Sequence, residues 1–195
     1  MALKLWTSKP SGNAYKVRLL CAQIPREVEL VELEIFAGAA RTPEFRARNP
    51  FGRVPFLQDG DFTLAESNAI LLYLARGTPF LPEDPRKQAL VHQWLFFEQN
   101  QIEPGLGIPR FYALKPAERD ATLDAAFRVR GVNALKTLER YLKTRDWLVD
   151  RYSIADLALF AYTHASPEGG FDLQPFPAVR AWLDRVRATP RFIPM

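Results

Sequence analysis

Hydrophobic and polar positions change rhythm several times along the first third of the chain. Leu3 to Thr7 is short and apolar with a polar end, the pattern of a buried strand. Ser8-Lys9-Pro10-Ser11-Gly12 has the composition of a turn. From Asn13 the spacing turns helical: Val17, Leu20, Cys21 and Ile24 share one face, and Pro25 ends the helix. Between Glu27 and Ile35 charged and apolar residues alternate, which is the period of a strand. A loop of small residues, Ala37 to Ala40, leads to Thr42-Pro43-Glu44-Phe45, a helix start with Thr42 as cap and Pro43 in the first helical position. Val54 to Gln58 and Phe62 to Leu64 flank Asp59-Gly60-Asp61, which predicts a hairpin. Glu66 to Arg76 is helical, with Ile70, Leu71 and Leu74 on one side.

The predicted order is strand-helix-strand-helix-strand-strand-helix, and a proline opens the third strand. That order suggests a thioredoxin-like α/β domain over residues 1–78. Pro79, Pro82 and Pro85 mark a linker. Beyond it only helical patterns remain, at 87–102, 116–142, 153–164 and 176–188, so residues 86–195 are expected to form an all-α domain. Ile108-Pro109-Arg110 reads as a break after the first of these helices.

Composition narrows the class. Apolar residues are 48% of 195, enough for a substantial core. The net charge is +4, yet basic residues alternate with acidic ones, as in Glu118-Arg119-Asp120 and Glu139-Arg140. Such alternation marks solvated helix faces, and no nucleic-acid partner is expected. One cysteine allows no internal disulfide, and with two histidines it supplies no metal-ligand set. The opening Met1 to Trp6 lacks the basic start and apolar stretch of a leader, and no apolar run is long enough to span a bilayer. A soluble, cytoplasmic protein with no membrane partner is expected.

The segment Val54-Pro55 carries the first chemical signal. A cis bond at the entry to a strand would turn the Val54 backbone outward, where its N–H and C=O can pair with a peptide-like ligand in β fashion. An ordinary trans proline at a strand start is the alternative, and spacing alone does not separate the two.

Three motifs in order extend the signal: Ser11-Gly12-Asn13-x-x-Lys16-Val17, Asn49-Pro50-x-Gly52-x-Val54-Pro55, and Leu64-x-Glu66-Ser67-Asn68-Ala69-Ile70. Together they resemble the cytosolic glutathione S-transferase family, in particular its bacterial, theta-, delta- and nu-like members, over essentially the whole chain. The resemblance implies glutathione as co-substrate, with Val54 paired to its cysteinyl backbone. Ser67 then receives the γ-glutamyl carboxylate through its N–H and hydroxyl at the positive end of a helix, with Glu66 holding the ammonium beside it. A plain helix cap is the alternative for this pair. Ser11 falls at the catalytic serine position of delta-like members, where a hydroxyl and a helix dipole favour a thiolate. Asn13 falls at an asparagine that contacts the thiol in members acting as disulfide reductases. Both residues would serve equally as helix caps. Ser8 is a rival for Ser11, and Tyr15 looks structural.

The departures from the family pattern matter too. Cys21 is not at the active-cysteine position and reads as a core thiol. Ala40 and Gly52 stand where delta-like members often carry histidine, which leaves Arg53 and Arg41 as guanidinium candidates for the glycyl carboxylate. Arg41 also reads as a surface charge. In the helical half, Ser153-Ile154-Ala155-Asp156 is a capping box with Tyr152 and Leu157 as its apolar staple. Trp94, Phe97, Phe111 and Tyr112 are candidates for an apolar pocket between the domains, with Trp94 better explained as a core aromatic. The implied function is a detoxifying transferase that activates the glutathione thiolate against an apolar electrophile. Glutathione-dependent disulfide or peroxide reduction and a non-catalytic binding module are the alternatives. A homodimer is also implied, with Phe51 where some relatives insert an aromatic into the partner.

Overall fold

The computed structural model describes residues 3–195. Met1 and Ala2, part of the segment read as lacking a leader, lie outside the described residues. Contacts divide the chain into two units, 1–78 with 190–195, and 79–189. The last six residues, assigned above to the helical domain, therefore belong with the first unit. Tyr15 explains why: fully buried in the first helix, it donates its hydroxyl to the Ile193 carbonyl at 2.7 Å.

The first unit is a four-stranded sheet with helices: β1 (Leu3–Thr7), α1 (Gly12–Gln23), β2 (Val28–Glu32), α2 (Pro43–Arg48), β3 (Phe56–Asp59), β4 (Phe62–Ala65) and α3 (Ser67–Ala75). The sheet order is β2-β1-β3-β4. β1 and β2 are parallel, joined by α1 as such a crossover requires, while β3 runs antiparallel to both β1 and β4. Leu5 faces Leu57 across the ladder and Trp6 faces Phe56. One cluster gathers Trp6, Ala14, Ala40, Phe45, Val54 and Phe56, with Val31, Leu33 and Ile35 against it. β2 is an edge strand, so its other face is wet and Leu30 is 52% exposed. Thr42 accepts from the Phe45 N–H and Pro43 opens α2, as the cap chemistry predicts. The segment 37–40, expected as a loop, takes part in two 3₁₀ turns that Gly38 separates at φ 82°. Cys21 is partly exposed at its surface, beside the fully buried Leu19 and Leu20, while most of its thiol is shielded from water.

The second unit is helical: α4 (Pro85–Phe97), a π-helical stretch (Glu98–Gly107), α5 (Ile108–Leu114), α6 (Ala121–Leu142), α7 (Ile154–Ala165) and α8 (Pro177–Arg187). The expected break at Ile108-Pro109-Arg110 does not occur: the chain stays helical from Pro85 through Leu114. The wide turns absorb Pro104, whose ring and missing N–H an α-helical ladder would not accommodate. They also carry Gly105 against Gly131 of α6, so closely that a Cβ on Gly105 would lie 2.7 Å from the Gly131 backbone.

Asp156 is the polar anchor of this unit. It is fully buried and accepts four bonds, from the N–H of Leu148 (3.0 Å) and Ser153 (3.0 Å), the Ser153 hydroxyl (3.2 Å) and Trp182 Nε1 (3.0 Å). The predicted capping box is present. Burial pushes the carboxyl up to about 6, against the pull of the four donors.

Two outcomes are expected. Gly131→Ala forces the two helices apart and lowers stability by about 3 kcal/mol in urea unfolding, in the range of a core overpacked by one methyl. For Asp156 the folded chain takes up its proton before the unfolded chain does, since the folded value lies above the ordinary 3.8. Its contribution to stability is therefore greatest below about pH 4 and is lost as pH rises toward about 6. The stability gap between wild type and Asp156→Asn should widen as pH falls through that window.

Candidate functional site

Three segments of the first unit supply the predicted site residues. The first is the turn into α1. Ser11 caps the helix, its Oγ accepting from the Ala14 N–H at 3.1 Å. Accepting a bond leaves the hydroxyl proton available as a donor at the positive end of a twelve-residue helix. Ser8, the rival, is 2% exposed and donates its hydroxyl to the Leu33 carbonyl at 2.7 Å. Its proton is committed to tying the turn to the end of β2. The structure thus separates two serines that composition left side by side.

The second segment enters β3. The Val54–Pro55 bond is cis, the first of the two alternatives open from spacing. The Val54 side chain lies in the apolar cluster with Ala14 and Phe56, while the sheet register starts only at Phe56. The approach to this bend is latched by Asn49, which has no solvent exposure. Its Nδ2 donates to the Arg53 carbonyl at 2.8 Å and its Oδ1 accepts from the Phe51 N–H at 3.2 Å. Gly52 sits inside the latch at φ 59°, where a Cβ would be strained by the backbone angle and tight against the Ala40 carbonyl at 3.1 Å. The Arg53 side chain is exposed.

The third segment opens α3. Glu66 is exposed and is the non-glycine residue immediately before the helix at φ 68°, ψ 116°. This lies outside the ordinary left-handed region, and such a conformation costs about 1–3 kcal/mol. It swings the chain so that Ser67 begins the helix at 4% exposure. Backbone strain held directly beside a helix N-terminus is the kind of feature that accompanies a ligand seat.

The first and third segments meet. Ser67 Oγ donates to Asn13 Oδ1 at 3.2 Å, Lys16 Nζ donates to the same oxygen at 2.8 Å, and Lys16 Nζ reaches Ser67 Oγ at 3.4 Å. Asn13 and Ser67 are therefore joined directly. The Ser67 hydroxyl is donated to Asn13, and the Ser67 N–H stands at the first position of α3, where it has no intrahelical acceptor. Lys16 and Asn49 were in the motifs but had no role assigned. A lysine amid apolar helix positions gives no sign of being buried, and an asparagine before a proline reads as a turn residue.

Other candidates fall away from this site. Burial pushes the Cys21 thiol up to about 12, so it is not a thiolate at neutral pH. Trp94 is 4% exposed and packs edge-on to Phe97 and Tyr141, a core aromatic as expected. Arg110 is buried with its Nε donating to Glu168 at 2.8 Å. Among the described residues no group of three or more His, Cys, Asp or Glu could hold a metal ion, and no helix is long and apolar enough to cross a membrane.

Comparison with known proteins identifies the family. Residues 1–76 match the model of the glutathione S-transferase N-terminal domain, and residues 103–190 that of its C-terminal domain. A crystal structure of a possible glutathione S-transferase from Rhodopseudomonas palustris superposes with a TM-score of 0.95 at 44% identity, covering 100% of this chain and 98% of that one. A glutathione transferase from Pseudomonas putida, solved with glutathione disulfide bound, gives a TM-score of 0.88 at 26% identity over 97% and 88% of the two chains. Among curated relatives, the disulfide-bond oxidoreductase YfcG of Escherichia coli is 29% identical over 190 residues, 93% of this chain and 88% of that protein. With both domain models matched in order on a thioredoxin-like sheet followed by helices, the chain belongs to the glutathione S-transferase family.

Proposed function

We propose that this protein is a glutathione transferase that holds the tripeptide extended along Val54 and delivers its sulfur to an apolar electrophile. The observation that carries the reading is the Ser67–Asn13 hydrogen bond of 3.2 Å. It sets the start of α3 beside the start of α1, so one small molecule can lay a carboxylate at the first and a thiol at the second. The γ-glutamyl carboxylate takes the Ser67 N–H and the α3 dipole, and Glu66 pairs with the ammonium. The cysteinyl backbone pairs with Val54 beside the cis bond to Pro55. Arg53, exposed at the end of the Asn49 latch, is the guanidinium for the glycyl carboxylate.

At the thiol, Ser11 donates its hydroxyl and the α1 dipole adds to the effect. Both lower the thiol pKa, so more thiolate is present at neutral pH. The sulfur lone pair forms the carbon–sulfur bond, and the electron pair of the broken bond leaves with the leaving group. Proximity and thiolate stabilisation supply the rate gain.

Disulfide reduction is the second reading, favoured by Asn13 at the site and by the relative named as a disulfide-bond oxidoreductase. There the glutathione thiolate attacks one sulfur of a disulfide, a mixed disulfide forms, and the other sulfur leaves as thiolate. The assembly read from the family is a cytoplasmic two-fold dimer, with the exposed Phe51 (61%) and Phe96 (68%) as apolar surface for a second copy.

Retention on immobilised glutathione tests binding, and an unretained protein ends the proposal. Titration of the bound thiol should show Ser11→Ala raising its pKa by about one unit, and by more than Asn13→Ala does. The reverse order would move the main role to Asn13 and favour the reductase. Light scattering at micromolar concentration should return a dimer, and a monomer would rule the assembly out.

A further inference from the structure

We infer that Lys16 is a positioning residue that sets the orientation of the Asn13 amide, presenting its Nδ2 to the glutathione sulfur, an inference that rests on the functional reading above. Lys16 has no solvent exposure. A lysine buried on α1 is costly unless its ammonium is well hydrogen-bonded, and it donates to Asn13 Oδ1 and to Ser67 Oγ. Asn13 Oδ1 thus receives two donors, one charged and one hydroxyl. Turned over, the amide would set its own NH₂ against the ammonium. The Ser67 hydroxyl could accept from that NH₂ as readily as it donates to the oxygen, so Lys16, a donor with no acceptor, is the partner that demands oxygen.

The consequence follows from the planar amide. With Oδ1 held toward α3, Nδ2 lies on the opposite arm, on the half-exposed side of Asn13 at the first turn of α1. Ser11 caps the same first turn, its Oγ accepting from the Ala14 N–H. In the proposed binding mode the sulfur meets one donor that can rotate, the Ser11 hydroxyl, and one of fixed direction, the Asn13 Nδ2. The same ammonium bonds the oxygen of Ser67, so one buried charge sets the donor for the sulfur and steadies the residue that receives the carboxylate. Lys16 touches neither group of the tripeptide itself and acts through Asn13 and Ser67.

The test is thiol titration of bound glutathione, together with KM and kcat, in the full-length protein. Lys16→Met should raise the bound thiol pKa by about as much as Asn13→Ala, and the double variant should add nothing further. It should also raise the KM for glutathione about tenfold through the loosened Ser67, whereas Lys16→Arg should recover both. A lysine that only packed α1 against α3 would lower the melting temperature and leave the thiol pKa alone. Asn13→Asp keeps an oxygen for Lys16 and Ser67 but replaces Nδ2 with an acceptor, so it should fold with undiminished stability and still raise the thiol pKa. That variant decides the matter if Lys16→Met does not fold. A wild-type thiol pKa in Lys16→Met or in Asn13→Asp, or additivity of Lys16→Met with Asn13→Ala, would overturn the inference while leaving the transferase reading intact. Failure of the wild-type protein to bind glutathione would remove both.

Discussion

Two helix starts held side by side form the constraint on which the site depends. α1 and α3 each begin with unsatisfied amides and a positive dipole end, and neither is a binding site alone. The Asn13 oxygen, shared by Lys16 and Ser67, ties one to the other. The cost is a buried ammonium, tolerable because these oxygens accept from it. Two partial positive charges and one full one are thereby gathered in the first unit, in a chain whose net charge is only +4. An anionic ligand with a thiol is the chemistry such an arrangement favours.

The sheet edge completes the geometry by a different physics. Val54 is fixed through its side chain, in the cluster shared with Ala14 of α1. Its position relative to the α1 start is therefore set by packing, while Asn49 sets the approach of the chain by hydrogen bonds. Glu66 does the corresponding work at the other end of the hairpin, at the expense of a strained backbone. None of these devices depends on a long flexible side chain. A ligand that lies along Val54 meets groups already in place, which reduces the ordering cost of binding.

Local chemistry was legible wherever one residue type answers one backbone need. Thr42-Pro43 capped α2, Asp59-Gly60 turned the hairpin with Gly60 at φ 64°, and Ser153 with Asp156 boxed α7. What could not be read were long-range partners. Nothing in the sequence pairs Tyr15 with Ile193, 178 residues away, so the tail's return to the first unit was missed. The helix through Pro104 and Pro109 was missed because Pro104 falls in a π-helical stretch and Pro109 in the first turn of α5, two settings in which proline does not end the helix. At the site, the cis bond was an open choice from spacing, and the roles of Lys16 and Asn49 depended on burial that periodicity does not report.

The two serines of the first turn show why contact with a ligand is decided by hydrogen-bond direction and not by sequence position. Ser8 and Ser11 flank the same proline and both lie near the start of α1. Ser8 donates its hydroxyl hydrogen bond to a backbone carbonyl and becomes part of the fold. Ser11 accepts a hydrogen bond from a backbone amide, which leaves its own hydroxyl able to donate. The same test distinguishes Ser67, whose hydroxyl is spent on Asn13, from its own backbone N–H, which the helix start leaves without an intrahelical acceptor. In the proposed binding mode the thiol meets a hydroxyl at α1 and the carboxylate meets an amide at α3. Each donor suits the charge it faces, because a hydroxyl can rotate to follow a large, diffuse sulfur whereas a fixed helical amide suits a carboxylate of fixed geometry.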